Sequence, residues 1–140
     1  PWAAKPDVVS AAERAQLHEH VAKLPQEYDT LIGERALALS GGQRQRLNIS
    51  RSLLLGTRIL ILDDSTSAVD AGTEKKIREA LKESAAERLT IIISHRVASL
   101  MHADQIVYME DGRILERGNH QELIKQGGCY AQLYQLQTID

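Results

Sequence analysis

The 140-residue sequence contains no phenylalanine and a single cysteine, Cys129. Without phenylalanine, a core must be built mainly from leucine, isoleucine, valine and alanine. One cysteine excludes an internal disulfide and a zinc site made of cysteines, so a reducing, cytosolic setting is the default. The formal net charge of -2 leaves no overall basic surface, which argues against a nucleic-acid partner.

The sequence also lacks an apolar run of membrane-spanning length and an N-terminal signal-peptide pattern. We therefore expect that this chain does not itself cross a membrane, although it can work beside one. A chain of 140 residues is long enough for one domain with a core of its own.

Residues 39–46 read Leu-Ser-Gly-Gly-Gln-Arg-Gln-Arg and are the most informative stretch. Ser40 stands three residues before Gln43, the spacing of a capping box, and the apolar pattern that follows predicts a helix. Gly41 and Gly42 are poor helix formers, so helix stability does not account for them. The N-terminus of such a helix can bind an anion, because its backbone N–H groups are uncovered, its dipole is positive there and Ser40 adds a hydroxyl. Phosphate is the obvious anion. An ordinary capped helix is the alternative.

A continuous apolar run at residues 59–62 predicts a strand buried on both faces and hence a parallel sheet, and residues 89–93, apolar except for Thr90, predict a second buried strand. Asp70 can cap a helix between them. Strand, helix and strand form a right-handed βαβ unit, which indicates the α/β class.

Other helices and a hairpin are predicted around this unit. A helix is expected over residues 10–23, where Ser10 and Glu13 have capping-box spacing. His18 and His20 on it face different ways, so we expect solvated side chains rather than a metal pair. Towards the end of the chain, residues 111–112 read Asp-Gly, which predicts a β-hairpin turn.

Polar side chains follow both predicted strands. Asp63 and Asp64 end the first, and His95 follows the second. Ligands of open parallel sheets bind at the carboxyl ends of strands, so these side chains could converge on one crevice. A carboxylate there suits magnesium, a second can orient or deprotonate water, and a histidine can donate to developing phosphate charge. The alternative for the two aspartates is that they cap the turn after the strand, and the alternative for His95 is that it is an ordinary loop residue.

From about Val9 to its end, the chain resembles the C-terminal part of the nucleotide-binding domain of an ATP-binding cassette (ABC) transporter. The motifs stand in the family's order: an exporter-like loop at residues 30–35, the signature motif at 39–43, the Walker B strand at 59–63, the D-loop at 67–70 and the switch histidine at His95. The resemblance implies a partial P-loop NTPase-like (ABC ATPase) fold. Residues 1–56 would be part of the helical subdomain, and residues 57–140 the later half of the catalytic core.

In this family two domains pair head to tail around ATP and Mg²⁺. The resemblance implies that the signature residues Ser40, Gly41, Gly42 and Gln43 act on ATP held by a partner domain. The D-loop, through Ser67 and Asp70, would also contribute to nucleotide binding.

The same resemblance assigns roles in the chain's own site. Asp63 would hold magnesium through water, Asp64 would activate the attacking water, and His95 would contact the γ-phosphate. Position 64 departs from the family, which usually has glutamate there. Aspartate is one methylene shorter, and a misplacement of about 1 Å can cost roughly 100-fold in rate.

A second departure is that no glycine-rich Walker A loop with its lysine occurs in the sequence. We therefore interpret the chain as a fragment of the domain, inactive alone. Its parent is expected to be an exporter at the cytoplasmic face of a cell membrane. The partners would be a second nucleotide-binding domain, identical or different, and a transmembrane domain, with no nucleic acid.

Two alternatives remain open at this point. The first is a soluble ABC-type ATPase that acts on chromosomes or in DNA repair. Such proteins share the signature motif, Walker B and the D-loop. The second is a non-enzymatic module that pairs with a cassette domain in trans. A long coiled coil in the parent would favour the first, and an initiation site near Pro1 the second.

Overall fold

The computed structural model describes residues 3–33, 39–83 and 88–138, and the chain divides into two compact units, Pro1–Ile93 and Ser94–Asp140. The first unit holds α1 (Lys5–Arg14), α2 (His18–Val21), a 3₁₀ turn (Glu27–Asp29), α3 (Gly41–Leu54), β1 (Ile59–Asp63), α4 (Ala71–Glu83) and β2 (Leu89–Ile93). The second holds α5 (Val97–Leu100), β3 (Ile106–Glu110), β4 (Arg113–Gly118), α6 (His120–Gln126) and α7 (Cys129–Thr138). Over the described ranges, no helix combines the length and the apolar character that a membrane span needs.

The single helix expected over residues 10–23 is wrong. α1 begins at Lys5, with a proline in its first turn, where a missing N–H costs nothing. It ends because Gln16 adopts a left-handed conformation (φ 56°). The amides of Gln16 and Leu17 donate back to Glu13 and Ala12, which is a Schellman motif. The capping-box spacing at residues 10 and 13 therefore lies inside the helix.

The predicted order of strand, helix and strand and the parallel pairing are confirmed. β1 and β2 pair in parallel, from Ile59 opposite Leu89 to Asp63 opposite Ile93. α4 connects the two strands. The apolar side chains of this unit form one core: Ala11, Ala15, Ile49, Leu53, Leu60, Leu62, Val69, Ile77 and Leu81.

Burial of β1 on both faces, as the apolar run predicted, is not observed. Leu60 and Leu62 are 3% and 5% exposed and pack in the core, whereas Ile59 and Ile61 are 57% and 59% exposed. The described helices cover the face of Leu60 and Leu62. The opposite face is an apolar surface open to solvent, to which β2 adds Leu89, Ile91 and Ile93.

The second unit is built around the predicted hairpin. β3 and β4 pair antiparallel, with a register irregularity at Tyr108 and Met109. Asn119 caps α6 in a capping box with Glu122. The core of this unit consists of Val97, Ile106, Leu123 and Tyr130.

Candidate functional site

The N-terminus of α3 has the predicted capping box. Ser40 is the N-cap residue, and its Oγ accepts from the Gln43 backbone N–H at 3.2 Å. In return, the Gln43 Oε1 accepts from the Ser40 backbone N–H at 2.8 Å. Gly41 and Gly42 form the first positions of the helix. Their N–H groups have no partner within a helix and carry no side chain above them, so this end of α3 can donate to an anion.

Gly42 has a second reason to be glycine. A Cβ at this position would stand 2.7 Å from the backbone oxygen of Ala68, closer than real Cβ contacts allow. At Gly41 an added Cβ would be 3.6 Å from the Ala68 Cβ, an ordinary contact. The start of α3 therefore packs directly on the loop between β1 and α4.

Gln45 makes further contacts with this loop, which the sequence analysis did not predict. Its Nε2 donates to the Ser67 Oγ at 2.8 Å and to the Asp64 backbone oxygen at 3.3 Å. Its Oε1 accepts from the Ala68 backbone N–H at 2.9 Å. One side chain of α3 thus binds the loop at both its beginning and its middle.

Asp63 and Asp64 lie at the carboxyl end of β1, as predicted. Asp63 pairs with Ile93 as the last residue of the strand, and its side chain is exposed. Asp64 is half-buried, and its N–H donates to the Ile93 oxygen at 2.8 Å. Its φ of 44° is left-handed, a conformation that aspartate adopts more readily than most residues.

The D-loop residues divide between two local roles. Ser67 is exposed and accepts from Gln45, as described. Asp70 precedes α4, and its Oδ1 accepts from the Thr73 N–H at 2.9 Å. Hydrogen bonds from the backbone and then the hydroxyl of Thr73 lower the pKa of Asp70, which keeps the cap ionised.

His95 belongs to the second unit, so its expected approach to Asp63 and Asp64 stays a prediction. The residue is exposed, and its backbone oxygen accepts from the Gln137 Nε2 at 2.7 Å. The Oε1 of Gln137 accepts from the Val97 N–H at 2.8 Å. Gln137, on α7, therefore holds the backbone on both sides of Arg96 and with it the position of His95.

The prediction that His18 and His20, on the helix expected over residues 10–23, have solvated side chains is wrong. The Nδ1 of His18 is 2.8 Å from the hydroxyl of Tyr28, and their rings stack with centroids 6.0 Å apart. Burial, followed by the nearby Glu13 carboxylate, raises the pKa of Tyr28 above its ordinary value. The Nδ1 of His20 is 3.2 Å from the Nε2 of Gln43. Both histidines contact polar groups within the first unit, and His20 contacts Gln43 of α3.

The donor set of this site can be compared with what Mg²⁺ and ATP require. No group of three or more histidine, cysteine, aspartate or glutamate side chains gathers within residues 3–33, 39–83 and 88–138. Magnesium retains waters and takes one or two carboxylates together with substrate phosphates, so the exposed Asp63 carboxylate fits it. The open N-terminus of α3 fits a phosphate oxygen.

Known proteins are similar to this chain in sequence and fold. The ABC transporter family model matches residues 4–67, which include the start of α3 and the end of β1. The uncharacterized ABC transporter ATP-binding protein YknU of Bacillus subtilis (strain 168) is 52% identical over 140 residues, 100% of this chain and 24% of that protein. A candidate multidrug export ATP-binding/permease protein of Staphylococcus aureus (strain NCTC 8325 / PS 47) is 48% identical over 139 residues, 99% of this chain and 24% of that protein.

A solved structure shows the same fold. The structure of a bacterial Atm1-family ABC exporter with ATP bound matches with a TM-score of 0.93 and 38% identity, over 99% of this chain and 24% of that one. The α/β units, together with helix α3, whose first residues are Gly41 and Gly42, therefore define a partial ABC ATPase fold. The chain belongs to the ABC transporter family and corresponds to part of an exporter-type nucleotide-binding domain. It spans about a quarter of the length of these relatives, 24% in each case.

Proposed function

We propose that this chain is part of an ABC exporter in which ATP binding and hydrolysis energise transport across a membrane. The observation that carries the proposal is the start of α3. Ser40, Gly41 and Gly42 form an open anion-binding end that packs against the loop following the Asp63–Asp64 pair. The exporter names of the relatives favour this function over a soluble ATPase of chromosome or DNA-repair work.

The complete protein is proposed to be longer than this chain and to supply the Walker A region and a transmembrane domain. In it, residues 1–56 would contribute to the helical subdomain and residues 57–140 to the catalytic core. A second nucleotide-binding domain, identical or different, would be its partner. The assembly would lie at the cytoplasmic face of a cell membrane.

The signature residues are proposed to bind the nucleotide of the partner domain. The Ser40 Oγ already accepts from the Gln43 N–H, and this leaves its hydroxyl hydrogen free to donate to a phosphate oxygen. The amides of Gly41 and Gly42 lie in the first turn, where the N–H groups have no partner within the helix, and the helix dipole favours the added negative charge. Gln43 holds the N-cap residue in place.

The chain's own site would be built on β1. Magnesium, when bound, neutralises phosphate charge, and Asp63 would hold it through water. The Asp64 carboxylate would orient a water molecule and accept its proton. His95 would donate to the charge that develops on the phosphate. Ser67 and Asp70 would complete the interface at the D-loop.

Mg²⁺-dependent ATP hydrolysis by the complete transporter in lipid tests this function. Ser40→Ala should lower single-turnover hydrolysis at the partner's site by about 10²-fold or more, the order observed when one donor to developing charge is removed. Ser52→Ala is the matched control, because Ser52 lies on the same helix and its hydroxyl donates only to the Asn48 backbone oxygen. A complete transporter without Mg²⁺-ATP hydrolysis would refute the proposal.

A further inference from the structure

All the hydrogen-bonding groups of the Gln45 side chain face one loop. A primary amide offers two N–H donors and one carbonyl acceptor. The donors reach the Asp64 backbone oxygen at 3.3 Å and the Ser67 Oγ at 2.8 Å, and the acceptor takes the Ala68 N–H at 2.9 Å. A glutamine that served only the surface of α3 would not need this complete match with a neighbouring segment.

The backbone of Asp64 is held from two sides. Its N–H donates to Ile93 of β2 at 2.8 Å, and its oxygen accepts from Gln45 of α3. Its left-handed φ of 44° departs from the strand geometry that precedes it, so the direction of the side chain depends on these contacts. A second contact between α3 and the loop is the packing of Gly42 on Ala68.

We propose that Gln45 is a positioning residue, which fixes the loop from Asp64 to Asp70 against α3. The proposal rests on the proposed function of both elements. The N-terminus of α3 serves a nucleotide held by the partner domain, whereas Asp64 serves the chain's own site. Gln45 therefore ties the geometry of one nucleotide site to that of the other within a single chain.

The test replaces Gln45 in the complete transporter. Gln45→Met keeps the length of the side chain and removes all three hydrogen bonds. We expect kcat at the site of Asp64 to fall about tenfold or more, because displacement of a catalytic group by about 1 Å can cost roughly 100-fold. The KM for Mg²⁺-ATP should change less than about twofold, since Gln45 is expected to act on the loop and not on the nucleotide. Asn48→Met, at an exposed position of the same helix, is the matched control.

Two further variants separate positioning from a loss of stability. Gln45→Glu keeps an acceptor for the Ala68 N–H and should restore part of the lost kcat. Ser67→Ala should lower kcat in the wild type and add little in the Gln45→Met background, because the two side chains share a hydrogen bond. Thermal unfolding of each variant reports stability separately.

The amide hydrogen exchange of Ala68 gives a readout without catalysis. In the complete domain, Gln45→Met should speed exchange at this amide, with little change at Val69, whose N–H donates to Thr66. An unchanged kcat, or unchanged exchange at Ala68, would overturn the proposal. So would a fall in kcat that follows thermal stability, with no rescue by Gln45→Glu. A wild-type transporter without ATP hydrolysis would refute the proposed function instead, and the exchange measurement would still decide the role of Gln45.

Discussion

The side-chain amide of Gln43 donates to the Nδ1 of His20 at 3.2 Å, while its oxygen accepts from the Ser40 N–H at 2.8 Å. Because the oxygen is already engaged, only the amide nitrogen can face the ring. The Nδ1 must then accept, and the ring proton is on Nε2. The first turn of α3 is thus anchored to α2 as well as capped.

Removal of this anchor should loosen the start of α3. His20→Ala is expected to lower the free energy of unfolding of the complete domain by about 1 kcal/mol, the usual net value of a hydrogen bond. Exchange at the Gln43 amide should accelerate. Glu19→Ala, an exposed neighbour, is the control. Unchanged exchange at Gln43 in His20→Ala would show that the contact does not support the cap.

Asp64 is expected to limit hydrolysis through its short side chain. Asp64→Glu should raise single-turnover hydrolysis at this site, and Asp64→Asn should lower it, because the amide cannot accept the proton of water. Asp64→Glu should also lower the unfolding temperature, since a left-handed φ costs most residues about 1 kcal/mol or more. Equal rates for aspartate and glutamate would show that side-chain reach does not limit the chemistry.

Gln137 is expected to act through His95. His95→Ala should lower hydrolysis by about 10²-fold, the order for removal of one donor. Gln137→Leu removes the hydrogen bonds to the His95 oxygen and the Val97 N–H and should produce a smaller loss in kcat. In the His95→Ala background it should add little. Gln132→Leu, on the exposed side of the same helix, is the control, and additive losses would count against the link.

Cys129 should react slowly with alkylating reagents. Desolvation, followed by the nearby Glu116 carboxylate, raises the pKa of its thiol, so less thiolate is present at a given pH. The rate of iodoacetamide modification should rise with pH and inflect above the ordinary value of about 8.5. Glu116→Gln should lower this inflection more than Glu110→Gln does, because Glu110 contributes less. An inflection at or below 8.5 in the wild type would contradict the assignment.

The open face of β1 should make the 140-residue chain self-associate when it is produced alone. Ile61→Ser, at a position 59% exposed, should reduce association in sedimentation velocity without loss of thermal stability. Leu60→Ser, at a position 3% exposed, should destabilise the fold by about 2–5 kcal/mol. A monomeric wild-type chain with a sharp, concentration-independent transition would contradict this prediction.

Local patterns predicted the elements whose causes are local. The capping box of Ser40 and Gln43, the parallel pairing of β1 with β2 and the hairpin at residues 111–112 are all present. The same kind of pattern failed at residues 10–23, because Gln16 takes a left-handed conformation that its residue type does not announce. Glu34 and Arg35, which end the exporter-like segment, lie outside the described residues.

Long-range polar contacts could not be predicted from spacing. Gln45 lies in the polar run Gln-Arg-Gln-Arg, where no periodicity distinguishes a side chain that binds Ala68, 23 residues later. Gln137 is 42 residues from His95, and an exposed glutamine near the end of a helix carries no pattern of its own. Such contacts depend on how the elements pack, which composition and spacing do not specify.

The contact of Gly42 with Ala68 changes how a substitution in the signature motif should be interpreted. An alanine at position 42 would bring a methyl group against the Ala68 carbonyl oxygen, 2.7 Å away before any shift. The loop that carries Asp64 and Ser67 would have to move. Under the proposed function, Gly42→Ala would therefore impair both nucleotide sites with one mutation, each for a different reason. Genetic complementation between such a subunit and one defective only at Asp64 should accordingly be poor.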